Sequence, residues 1–127
     1  MTGAERGSAT IWVLGCCALV LLLGYLGVAR TQAVLARHRA DGAADLAALA
    51  AAGQIGLGVD VCGAASELAA ANGAAVRSCI VRLAPDGRSG TVRVRVAVTV
   101  RLPIAGARTV VASARAGREQ VRQAPAG

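Results

Sequence analysis

Lysine and phenylalanine are absent from this chain, and histidine, methionine, tryptophan and tyrosine occur once each. Without lysine, none of its many glycines can belong to a phosphate loop ending in lysine and serine or threonine. One histidine, no CxxC pair and no cysteine–histidine cluster at ligand spacing leave no donor set for zinc. His38, held between Arg37 and Arg39, reads as an exposed helix residue, and no nucleophile stands beside a base in a catalytic pattern. Acidic residues are scarce too, seven against fourteen arginines, for a net charge of +7. Arginine as the sole strong base, with alanine, glycine and valine abundant, is the codon bias of a GC-rich genome. The arginines are scattered and almost no aromatic stands among them, which fits a solvated basic surface better than a nucleic-acid site. No enzyme, cofactor or metal is expected, and neither a small-molecule substrate nor nucleic acid is an expected partner.

Uncharged sequence, by contrast, is plentiful near the start. From Ala9 to Ala29 there is no charged residue, and about 21 residues at about 1.5 Å each reach roughly 31 Å, the thickness of a bilayer's hydrocarbon core. A cleaved signal peptide has a shorter apolar centre and an A-x-A-like exit, whereas this run continues through Gly27, Val28 and Ala29 to Arg30. VLGC, ending on Cys16, has the outline of a lipobox, but most of the apolar run follows that cysteine instead of preceding it. Gly7–Ser8 has the outline of a pilin leader junction, although position five after it, where pilins carry glutamate, is Trp12. A retained membrane anchor is the reading these features share, with residues 1–8 as a short leader or tail.

Orientation draws two opposed answers. Arg30, Arg37 and Arg39 outnumber Arg6 and the amino terminus, which favours a cytoplasmic C-terminal side. Cys62 and Cys79 bracket a segment of disulfide-loop length, which suits an oxidising compartment, and long domains translocate despite their charge.

Beyond Arg30 a helical rhythm continues without proline to Gly53. Leu35, Gly42, Leu46 and Leu49 fall on one face, and Arg37, Asp41 and Asp45 form an i, i+4 row on another. So narrow a stripe on an alanine-rich helix suits close approach of a partner helix, and an alanine-rich helix packed on its own small domain fits the same period. GQIGLG then breaks the helix. Asp60 is placed to cap a second one through Ala71, and Asn72–Gly73 to stop it.

Past Gly73 the period becomes two. Ala75–Leu83 reads as a strand, APDGRSG as a turn, and TVRVRVAVTVR as a strand with Val92, Val94, Val96, Val98 and Val100 on one face. Thr91, Arg93, Arg95, Ala97, Thr99 and Arg101 take the other, wet face. Ala107–Ala116 offers a third strand with Val110, Ala112 and Ala114 on its drier side, and residues 117–127 read as a frayed tail. The expected fold is α+β: an N-terminal transmembrane helix (residues 9–29) extended into a long alanine-rich helix, a second short helix and a small three-stranded antiparallel sheet, the domain occupying residues 30–116. A helix laid over the strands would bury the valine row, and a Cys62–Cys79 bond would pin helix to sheet.

Taken together, RGSATIWVLG, the single span, ARHRADGAADLAALAAAG, DVCGAA, VRSCIV and the valine-alternating strand resemble the short actinobacterial TadE/TadG-like proteins encoded near helicase and secretion genes. The likeness runs to about Ala116 and is most specific over Ala36 to Gly53. It implies a pilin-like or pilus-assembly component of a Tad (Flp-type) secretion or pilus system, with a cytoplasmic N-terminus, an extracytoplasmic domain and no catalysis. Its partners would be the membrane, other Tad or Flp assembly proteins, or further copies of itself. Two alternatives stand beside it: a basic membrane-anchored protein binding nucleic acid or anionic lipid through the arginines of the sheet, and a lipoprotein anchored at Cys16.

Overall fold

The computed structural model describes residues 5–102 and 104–120. Two compact units divide the chain, residues 1–35 and 36–127, and helix α1 (Glu5–Gly53) contributes to both. The expected single helix through span and extension is therefore present.

In the first unit, the side chains from Gly7 to Val28 are all exposed, Ile11, Trp12, Leu14 and the run Leu21–Leu23 among them. This part of α1 is long and apolar enough to cross a membrane. Bare aliphatic side chains around a whole helix suit lipid, where every backbone polar group is already satisfied within the helix. As the run ends, the Thr31 hydroxyl donates to the carbonyl of Gly27 at 3.0 Å, so even this polar side chain is satisfied within the helix.

The second unit comprises the rest of α1, helix α2 (Val61–Ala71) and strands β1 (Ala75–Leu83), β2 (Gly90–Leu102) and β3 (Gly106–Arg118). The strands form one antiparallel sheet in the order β1-β2-β3. β1 begins just after Gly73, whose φ of 70° lets the α2 C-terminus reverse while Ala74 N–H donates to Ala69. It ends at the 84–89 turn, where the Asp86 carboxylate accepts from the Ser89 and Arg88 amides and the Ser89 hydroxyl. Those bonds, with Ser89 foremost, favour the ionised form and hold the Asp86 pKa below its ordinary 3.8. Val92, Val94 and Val96 are fully buried, as the alternation requires, while Val98 and Val100 are half-buried.

What covers the valine row is alanine. Ala36, Ala40, Ala43, Ala44, Ala47, Ala48, Ala51 and Ala52 are all buried on α1, and from Ala40 onward they join one core with Ile55, Val92, Val94, Val96 and Ala112. Their i, i+4, i+7 recurrence makes a seam along one helix face. A methyl group is the whole side chain on the helix side, so the helix can pack closely and the valines supply the bulk.

The far end of α1 is closed by a residue from the far end of β3. Arg118 donates from Nη1 to the carbonyl of Gly53 at 2.9 Å and to that of Ile55 at 2.8 Å. Carbonyls at a helix C-terminus have no intrahelical partner, and a cation there also meets the negative end of the helix dipole. Arg118→Ala is expected to cost about 1 kcal/mol, a charged hydrogen bond discounted for its exposure, read as a lower urea midpoint of the full-length protein in micelles. An unchanged midpoint would mean that the clamp contributes nothing.

Several local expectations need correction. β3 runs to Arg118, so residues 117 and 118 are strand and not tail, because the inward alternation Val110, Ala112, Ala114, Ala116 carries on to Arg118 and its clamp; residues 121–127 lie outside the described residues. Asp60 occupies the N-cap of α2 but makes no side-chain capping bond. Asp45, in the row with Arg37 and Asp41, has no ion pair, since Arg37 is turned to Asp41 at 3.2 Å and toward the Val111 carbonyl at 3.4 Å. Ala97, on the wet face by register, is buried, its methyl flanked by Ala75 and Val111.

Candidate functional site

Packing settles which face of α1 the domain uses for itself, and it is not the leucine face. Gly42, Leu46 and Leu49 are exposed in the second unit, Leu46 by 46% and Leu49 by 62%. Leu35, the last residue of the first unit, is exposed by 43%. The reading of an alanine-rich helix packed on its own domain therefore holds for the alanine face, and the leucines are left exposed. An exposed aliphatic strip on a helix is a form in which helices are recognised, as anchors at i, i+3, i+4 and i+7.

The support behind that helix is braced at the opposite edge of the sheet. Cys62 on α2 and Cys79 on β1 are joined by a disulfide, with Cα atoms 5.9 Å apart. α2 buries only Ala65 and Ala69 fully, so apolar area alone gives it little hold. The bond adds a covalent tie to β1.

The other singled-out residues lie apart from these features. Cys16 and Cys17 are free thiols exposed on the apolar part of α1, with apolar residues before and after them. Gly7 and Ser8 are exposed and helical, and His38 is an exposed helix residue.

The sheet face turned away from α1 carries a second arrangement, which period alone did not reveal. Register sets Arg93 directly opposite Arg115 on β3 and opposite Ile80 on β1, with Arg82 one step along, opposite Thr91. These five residues line a depression of about 90 Å³. Among the described residues the one ion pair is Arg37–Asp41, so no acid neutralises the three guanidinium groups. Arg93 was legible as a solvent-facing residue; its pairing with Arg115 needed the register of β3.

No curated protein and no solved structure matched this chain. A family model did match, and it covers the apolar run together with the alanine seam and leucine strip of α1. Residues 7–54 match the family described as "Putative Flp pilus-assembly TadE/G-like", so this stretch is similar to TadE/G-like pilus-assembly proteins.

Proposed function

We propose that this chain is a single-pass structural component of a Tad (Flp-type) pilus or secretion assembly. Its N-terminus is cytoplasmic, its α+β domain extracytoplasmic, and its role is to hold partners and not to catalyse. The observation that carries this reading is the unused leucine strip on the one helix the family model covers. Gly42, Leu46 and Leu49, with Leu35 nearer the span, are the contact positions for a like helix or another Tad protein. The orientation rests on the Cys62–Cys79 bond, because disulfides persist in oxidising compartments. The positive-inside count points the other way but is weak for a long translocated domain.

Single cysteines placed at Leu35, Leu46 and Leu49, in a background where Cys16 and Cys17 are serine, are expected to give crosslinked species in native membranes. The same substitution at exposed Ser66 on α2 is expected to give none. Equal capture from both sets, or from neither, would remove the leucine strip from the mechanism. A compartment reporter fused to the C-terminus, read together with thiol blocking of Cys62 and Cys79, tests orientation separately.

A further inference from the structure

The outer sheet face is charged in a way that solvation alone does not explain. Its members are Ala75, Ser78, Ile80 and Arg82 on β1; Thr91, Arg93, Arg95, Ala97, Thr99 and Arg101 on β2; and Ala107, Thr109, Val111, Ser113, Arg115 and Gly117 on β3. No acid is among them, and the next acid along β3, Glu119, lies past its end. A polar face needs only to be polar, and alternating signs would serve it better. Like charges set directly opposite on neighbouring antiparallel strands destabilise the sheet. Arg93 and Arg115 are such a pair, and Arg82 stands diagonal to Arg93 at about 7–8 Å between Cα atoms. Arg95 provides the contrast on the same strand, since its two opposite residues are Ser78 and Ser113. A local rule broken without compensation inside the molecule is the mark of a place where something outside supplies it.

We propose that Arg82, Arg93 and Arg115 form a binding site for a phosphate group. The site does not rest on the assembly role or on the orientation proposed above. The depression between them is about 90 Å³, room enough for a small tetrahedral oxyanion. Its donors are guanidinium groups, whose planar forks match phosphate oxygens two at a time. Thr91 in the lining carries a hydroxyl that is a further donor, and Ile80 gives the lining one apolar side. None of the three arginines is tied up by another side chain or carbonyl of the described residues, so none must be released for binding. A bound phosphate would replace the repulsion between Arg93 and Arg115 by two attractions. The group can arrive free or as the headgroup of an anionic lipid.

Two readouts on the full-length protein in neutral detergent test this. Titration with inorganic phosphate against chloride at constant ionic strength is expected to shift the amide resonances of Ile80, Arg82, Thr91, Arg93 and Arg115. The shifts are expected to vanish in Arg93→Gln and Arg115→Gln and to persist in Arg95→Gln. Without phosphate, Arg93→Gln and Arg115→Gln are each expected to raise the unfolding temperature by about 1–5 °C, because the like-charge pair is gone. A purely structural arginine would lower it. Nanodiscs of phosphatidylcholine with and without phosphatidylglycerol then separate the sources: shifts at the same amides with phosphatidylglycerol identify a lipid headgroup, and a response to inorganic phosphate alone identifies the free ion. Shifts that spread evenly over all exposed arginines, or that survive both substitutions, would overturn the site.

Discussion

Replacing Cys62 and Cys79 together by serine is expected to lower the stability of the second unit by about 3 kcal/mol. The bond closes a loop with a sequence separation of 17, and on the chain-entropy model a loop of that length restricts the unfolded chain by about that amount. A small domain holds only ~5–15 kcal/mol in total. The loss is therefore a large share of what keeps the domain folded. It falls unevenly, because the bond joins α2 to β1, the edge strand, whereas β2 is held on both sides. Amide exchange in the double variant is expected to accelerate first in Val61–Ala71 and Ala75–Leu83, with the β2–β3 hairpin protected longest. Reduction of the wild-type protein should reproduce the pattern. A urea midpoint unmoved by either treatment would show that α2 is held by other means.

Ala47→Leu and Leu46→Ala, adjacent in sequence, should have opposite consequences. Ala47 is fully buried in the seam against the valine row, and Leu46 is exposed on the other face. A leucine at position 47 adds three carbons at a fully buried position, and overpacking of that kind costs about 1–3 kcal/mol. Alanine at position 46 should change stability by less than about 0.5 kcal/mol, as exposed substitutions do. Alanine and leucine have nearly equal helix propensity, so both variants report packing and not helix formation. Denaturation of the full-length proteins in micelles measures both. If the 46 variant proved the damaging one, the assignment of the two faces would be reversed.

That contrast also explains what the sequence could and could not disclose. The elements were legible where punctuation is sharp: β1 matches its expected bounds because Asn72–Gly73 and Pro85–Asp86–Gly87 flank it, and the valine row of β2 matches because period two is unmistakable. The face of α1 that joins the core was not legible. Leucines usually mark a buried stripe, and here they mark the bare one, while alanine occurs too widely around the helix to declare a side. Arg118 was hidden behind Gly117, which reads as a boundary, although continuing the inward alternation by two residues from Ala116 would have found it. The arginine pair was hidden for a different reason. Opposition across strands depends on hairpin register, and no single strand's pattern contains it.

The closure of α1 by β3 has a consequence for how the protein is made. The seam is complete once Ile55 has emerged from the ribosome, yet Val92, Val94 and Val96 arrive only with the second strand, Ala112 in the middle of the third, and the clamp on Gly53 comes 65 residues after the carbonyl it grips. Until β2 has been made the nascent helix lacks its valine cover, an interval in which exposed apolar surface invites aggregation. A seam of methyl groups offers far less sticky area than one of leucine or isoleucine, so the smallness of these side chains protects the unfinished chain as well as fitting the finished one.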